Sequence, residues 1–260
     1  MAKPFIFHTV FLDMEVYRKE ILHKESRIKI MVDKKVLIKE AVDELITQRR
    51  ILEDYINSDP YFITALEPYT IDEKAPEIVT CMAEGAEVAG VGPMAAVAGT
   101  IAEFICRRLV RKGACIAIVE NGGDIFAHTR EPVTVGLFSG NNRLENTLAF
   151  ELKKENTPLA ICSSSSFLGH SLSFGKCDLA TVFSKRGCIA DAVATAACNK
   201  VIDEKDIKEV LEWAGNLEGV DGVLIVKDNK CGLIGDMPRL IRSNDTRIKE
   251  KITKDDAYTL

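Results

Sequence analysis

Apolar and polar positions along the chain follow two periods. Arg27 to Val32 alternates as a half-buried strand does, and Asp33-Lys34-Lys35 interrupts it as a turn. From Val36 to Asn57, residues Val36, Leu37, Ala41, Leu45, Ile46, Ile51, Leu52 and Ile56 form the stripe of a helix, which Ser58-Asp59-Pro60 ends. Tyr61 to Tyr69 is apolar, aromatic and bounded by prolines, which suits a short strand or an ordered loop more than a helix. Pro76 fits the first turn of a second helix to Ala89, stopped by Gly90-Val91-Gly92-Pro93. A third helix is expected from Met94 to Arg111. Its basic end, Arg107, Arg108, Arg111 and Lys112, suits the helix dipole, and Gly113 caps it.

Next comes a buried-looking strand, Ala114 to Glu120, then the tight turn Asn121-Gly122-Gly123-Asp124, and Ile125 through Phe138 reads as a hairpin. Further strands are expected at Leu148 to Lys153, Leu159 to Ser163 and Leu179 to Phe183, followed by a small-residue helix from Ile189. Its Ala190-Asp191-Ala192-Val193-Ala194-Thr195 is similar to Ala95-Ala96-Val97-Ala98-Gly99-Thr100, and each run is followed by a strand and a turn, the later ones at Gly222 to Lys227 and Asp228-Asn229. A duplicated α+β unit would explain this order. The charged tail from Arg242 is expected at the periphery.

Charge and cysteine content narrow the function classes. The 260 residues carry 34 Lys plus Arg against 39 Asp plus Glu, a net charge of −5, so no general basic field for nucleic acid or anionic membranes is expected. Eight cysteines, at 81, 106, 115, 162, 177, 188, 198 and 231, show no C-x-x-C spacing. Met1 to Tyr17 has only a short apolar stretch with Asp13 and Glu15 after it, and no apolar run is long enough for a bilayer. The expectation is a cytoplasmic protein with free thiols.

Three places can carry chemistry. The paired glycines of Asn121-Gly122-Gly123-Asp124 let backbone N–H groups approach a ligand, and Asp124 can hold a polar edge or a cation; a plain hairpin turn is the simpler alternative. Asp191 and Thr195, four apart on a helix, can share a hard cation such as Mg²⁺, unless Asp191 only meets the helix dipole and Thr195 only packs. Cys162-Ser163-Ser164-Ser165-Ser166 ends a strand with hydroxyl donors and a thiol that is nucleophilic only if its pKa falls; a solvated turn is the alternative. His170 follows as a general acid or base without an assigned partner.

The order of these parts resembles the ApbE superfamily, the FAD:protein FMN transferases. Asn121-Gly122-Gly123-Asp124-Ile125 is similar to that family's GGD segment, and Ala190-Asp191-Ala192-Val193-Ala194-Thr195-Ala196 to its metal-binding helix, over roughly residues 92 to 226. The resemblance implies a single domain over residues 1–260 with two-layer, duplicated T-fold-like α+β architecture, a mainly antiparallel sheet, and a ligand cleft between the repeats. It implies Asp191 and Thr195 as Mg²⁺ ligands, and Asn121, Gly122, Gly123, Asp124, Ser163 and Ser164 beside FAD or FMN.

Two departures redirect the functional expectation. The family's Lys-Gly pair is Ala98-Gly99 here, and its His-x-x-Asp-Pro segment is matched by Gly175-Lys176-Cys177-Asp178-Leu179, so a thiol stands near the missing imidazole. The chain looks closer to a cytoplasmic branch of archaea and anaerobic bacteria, which implies sulfide assimilation and homocysteine formation. In that reading Cys162 and Cys177 are the catalytic candidates, one carrying a persulfide, with a protein partner in sulfur transfer and an oligomer allowed. Mg²⁺-dependent FMN transfer from FAD and a non-catalytic flavin-binding protein are the alternatives. Cys106 and Cys198 are expected as core filler.

Overall fold

The computed structural model describes residues 15–136, 148–166, 176–228 and 230–242. His8, His170, Gly175, Asn229 and the tail beyond Arg242 lie outside them. Strands β1 (Tyr17–His23) and β2 (Ser26–Val32) lead into four helices, α1 (Leu37–Ser58), α2 (Tyr61–Thr64), α3 (Glu77–Ala89) and α4 (Val97–Arg111). Strands β3 (Ala117–Asn121), β4 (Asp124–His128), β5 (Val133–Gly136), β6 (Leu148–Leu152), β7 (Leu159–Ser164) and β8 (Leu179–Ser184) follow. Helices α5 (Gly187–Lys200) and α6 (Asp206–Gly215) precede β9 (Val220–Lys227), β10 (Lys230–Gly235) and β11 (Arg239–Arg242).

Eight strands form one sheet in the order β1-β2-β3-β4-β7-β8-β9-β10, with each neighbouring pair antiparallel. Alternation along the strands gives this sheet two apolar faces. One face, including Ile30, Val119, Phe126, Val182 and Ile225, packs with the buried residues of all six helices. The opposite face, including Ile118, Ile125, Ile161, Phe183 and Leu224, packs on Val133, Val135, Phe150 and Leu152 of the small sheet β11-β6-β5. The fold is α+β and mainly antiparallel, with this small sheet added behind the helix-on-sheet layers.

Three elements differ from the expectation. Tyr61–Thr64 forms one helical turn, because Pro60 starts it and Phe62 is fully buried edge-on between Tyr55 and Tyr69, at ring separations of 5.2 and 6.1 Å. The stretch from Ile125 makes no hairpin. β7 takes the free edge of β4, Thr129 and Thr157 exchange hydrogen bonds where the chain leaves that sheet, and β5 pairs with β6 instead. The third helix opens with a 3-10 turn, Pro93–Ala96, before α4.

Helices α4 and α5 are the innermost pair. Buried residues surround α5, from Gly187 to Cys198, as its small-residue composition requires. No single helix among the described residues is long and apolar enough to cross a membrane.

Candidate functional site

The Asn121-Gly122-Gly123-Asp124 turn is a two-residue hairpin joining β3 to β4, with Asn121 paired to Asp124. Gly122 and Gly123 have φ of 63° and 113°, the left-handed geometry that such a turn demands and that side chains resist. The turn therefore fixes Asp124 at the first position of β4, on the helix-facing side with Phe126. There Asp124 Oδ1 accepts the Ser163 N–H at 3.1 Å, and the Cys162 thiol also hydrogen-bonds to its carboxylate.

Asp191 comes from the second turn of α5. Its Oδ2 accepts the Gly99 N–H at 2.8 Å, at the start of α4, where the helix presents unpaired amides and positive dipole. The same peptide unit is held from its other end, since Asn121 Nδ2 donates to Ala98 O at 3.2 Å. One amide group thus ties the hairpin turn to the acid-bearing helix.

Asp124 and Asp191 are each 8% exposed and repel one another. Burial raises the Asp124 carboxyl to about 7 against the opposing hydrogen bonds of Ser163 and Cys162, with Glu120 adding to the rise. Burial and the charge of Asp124 push Asp191 well above the usual carboxylate range, opposed by the Gly99 and Ala98 amides. Among the described residues, no basic side chain forms an ion pair with either carboxylate. Thr195, also 8% exposed, lies one turn beyond Asp191 on α5.

These oxygens fit a hard divalent cation, which would relieve the repulsion between the acids. Mg²⁺ typically uses one or two protein carboxylates and takes its other ligands from water and phosphate. Among the described residues, no group of three or more His, Cys, Asp or Glu is arranged to hold a metal ion.

The Ser-rich strand end divides between two faces. Ser163 gives its amide to Asp124, while its hydroxyl meets Thr181 Oγ1 at 2.8 Å, in register with Leu179 and Phe183 of the face behind the helices. Ser164 shares the parity of Ala160 and Cys162 and belongs to the helix-facing side. Cys162 itself is fully buried, with its sulfur 3.9 Å from Gly187 O, and burial with the charges of Asp124 and Asp191 raises its thiol pKa well above normal.

Cys177 is equally buried and lies just before β8, where its thiol hydrogen-bonds to Cys198 and donates to Val226 O at 3.5 Å. That contact and burial raise its pKa. The structure thus brings Asn121, Asp124, Cys162, Ser163 and Asp191 together and leaves Cys177 toward the other end of α5.

Sequence reasoning passed over Glu103. Its Oε2 accepts the Gly187 N–H at the start of α5, which mirrors the bond from Gly99 to Asp191. The two glycines touch reciprocally: a Cβ on Gly99 would lie 2.4 Å from Gly187 O, and one on Gly187 would lie 2.2 Å from Gly99 O. The detectable signal was the shared spacing Gly-x-x-x-acid, Gly99 to Glu103 and Gly187 to Asp191.

Residues 10–220 match the protein-family model described as AbpE bacteria. The UPF0280 protein of Methanocaldococcus jannaschii is 42% identical over 237 residues, covering 89% of this chain and 96% of that protein. The corresponding Methanococcus vannielii protein is 42% identical over 234 residues, covering 88% and 95%. Among solved structures, the apo flavinyl transferase ApbE of Pseudomonas stutzeri aligns with a TM-score of 0.55 at 12% identity, over 88% of this chain and 95% of that one. The ApbE protein of Thermotoga maritima aligns with a TM-score of 0.54 at 14% identity, over 92% and 100%. These two likenesses concern the fold. With the sequence match over most of its length, the chain belongs to the AbpE bacteria family and groups with the UPF0280 proteins of methanogenic archaea.

Proposed function

We propose that this chain binds a flavin dinucleotide between the Asn121–Asp124 turn and α5, and transfers FMN from FAD to a hydroxyl of a protein acceptor. The observation that carries the reading is the buried pair Asp124 and Asp191, held close together without a described basic partner. Family membership and the fold shared with named flavin transferases support the same choice. The strand order supports the reading of residues 1–260 as one domain of two repeats, since β1–β4 form one half of the large sheet and β7–β10 the other. A cytoplasmic setting is consistent with eight free cysteines.

In this mechanism Asp191 and Thr195 would hold Mg²⁺, with Asp124 adding negative charge from β4. The cation would supply positive charge to the pyrophosphate of FAD, whose cleavage joins the FMN phosphorus to the acceptor hydroxyl oxygen and releases AMP, the hydroxyl proton passing to solvent. Gly99 and Ala98 amides orient the Asp191 carboxylate, and Ser163 orients that of Asp124. The glycines of the turn leave room for close approach: a Cβ at Gly122 would meet nothing within 4 Å.

We rank sulfide assimilation below this reading. Cys162 and Cys177 are buried and their thiols are held protonated, which works against a sulfur nucleophile or a persulfide carrier. The test is incubation of the protein with FAD, Mg²⁺ and a Ser/Thr acceptor peptide, followed by peptide mass. We expect an FMN adduct that disappears with Asp191→Asn. A correctly folded protein that neither retains FAD nor labels any acceptor would overturn the proposal.

A further inference from the structure

At the far end of α5 from Gly187, two thiols meet. Cys198 sits in the last turns of the helix and Cys177 just before β8, and the Cys177 and Cys198 thiols are hydrogen-bonded to one another. Both are fully buried. The surroundings fix each partner separately. Ser166 Oγ lies 3.5 Å from Cys198 Sγ, Ser166 N–H donates to Cys177 O at 3.0 Å, and Cys177 Sγ lies 3.5 Å from Val226 O. Lys176 N–H, one residue earlier, donates to Val201 O just past the end of α5, at 2.9 Å, so backbone bonds close the same junction on both sides. Two thiols that hydrogen-bond to one another, each with its own further contacts, are already the neighbours that a disulfide joins.

We propose that Cys177 and Cys198 form an oxidisable dithiol that locks the C-terminal end of α5 onto β8. The co-reactant is a small-molecule disulfide. Local opening exposes one thiol, which loses its proton and attacks that disulfide, expelling one small thiolate and leaving a mixed disulfide on the protein. The second cysteine then loses its proton and attacks the protein sulfur of that mixed bond, releasing the other small thiolate. The pair gives up two electrons and two protons, and one small disulfide becomes two small thiols.

The link would pin α5 one turn beyond Thr195 and two turns beyond Asp191, which connects thiol oxidation to the helix bearing the proposed ligands. Burial makes the step slow, because the reactive thiolate forms only when the junction opens. It also shields the pair against over-oxidation.

The test treats the intact protein with hydroxyethyl disulfide, blocks remaining thiols with N-ethylmaleimide in denaturant, and maps peptides without reduction. We expect a peptide pair joined through Cys177 and Cys198 with the loss of two hydrogens, and amide exchange about tenfold slower over the last two turns of α5. Recovery of both cysteines as separate maleimide adducts or separate mixed disulfides, under conditions that modify exposed Cys231, would overturn the proposal. So would a link that leaves exchange in α5 unchanged. Neither readout involves flavin, so this result and the flavinylation result stand independently.

Discussion

The crossing of α4 and α5 has two ends built on one plan and finished differently. At each end a glycine amide is met by a carboxylate one turn along the opposite helix: Gly99 by Asp191 and Gly187 by Glu103. Glu103 is closed off. Its side chain is 3% exposed, and it pairs with Arg107 and lies 3.9 Å from Arg186, while Arg186 reaches on to Glu84 at 2.7 Å. Asp191 instead faces a second buried acid, Asp124. The same local geometry therefore ends in ion pairs at Glu103 and in a buried pair of acids at Asp191, the end at which we propose that a ligand binds.

Predictions follow from this contrast, and the largest tests what the two ends share. Gly99→Ala and Gly187→Ala each drive a Cβ into the opposing backbone, so each should cost more than about 3 kcal/mol, read by denaturant unfolding. A cost at only one end would break the symmetry of the crossing.

The next tests the charge of the Asp191 end. The folded Asp124 and Asp191 carboxyls titrate above the unfolded range, so between the ordinary carboxylate value and about pH 7 the folded state keeps protons that the unfolded chain has released. Stability without added cation should then fall as pH rises from 5 to 8, by about 2 kcal/mol from this pair. Asp191→Asn should flatten that dependence and stabilise the protein at pH 8 by about 1 kcal/mol, since Asn still accepts the Gly99 N–H without repelling Asp124. Thermal melts across that pH range, wild type against variant, decide it; an unchanged slope would show that the acids do not repel.

The smallest effect is at the other acid. Burial raises the Glu103 carboxyl against the opposing Gly187 hydrogen bond and the charges of Arg107 and Arg186, and Glu103→Gln keeps an acceptor for Gly187, so stability at pH 8 should change by less than about 0.5 kcal/mol, with flavin retention unchanged. A stabilisation as large as that expected of Asp191→Asn would erase the difference between the ends.

Much of the layout was legible from periodicity. The long stripe from Val36 placed α1, the alternation from Arg27 placed β2, and Asn121-Gly122-Gly123-Asp124 announced its hairpin. What escaped depended on partners distant in sequence. β4 leaves β5 because β7 occupies its edge, and α2 forms because Phe62 finds Tyr55 and Tyr69. At the site, Asp124 and Asp191 were readable as candidates, but their mutual approach depends on how α5 crosses α4, which no local pattern encodes. The similar small-residue runs around Ala95 and Ala190 pointed to a repeat, while the contact between their helices sets Gly99 against Gly187, because only glycine allows that backbone approach.

The reciprocal glycine and acid contacts act as a matched ruler. An inserted residue between Gly99 and Glu103 would turn that acid by about 100° around α4, away from the Gly187 amide, and a deletion would turn it the other way. An insertion between Gly187 and Asp191 would do the same to the Gly99 amide. Loops and strand ends can change length around this crossing, but the two four-residue intervals can change only at the expense of both helix starts.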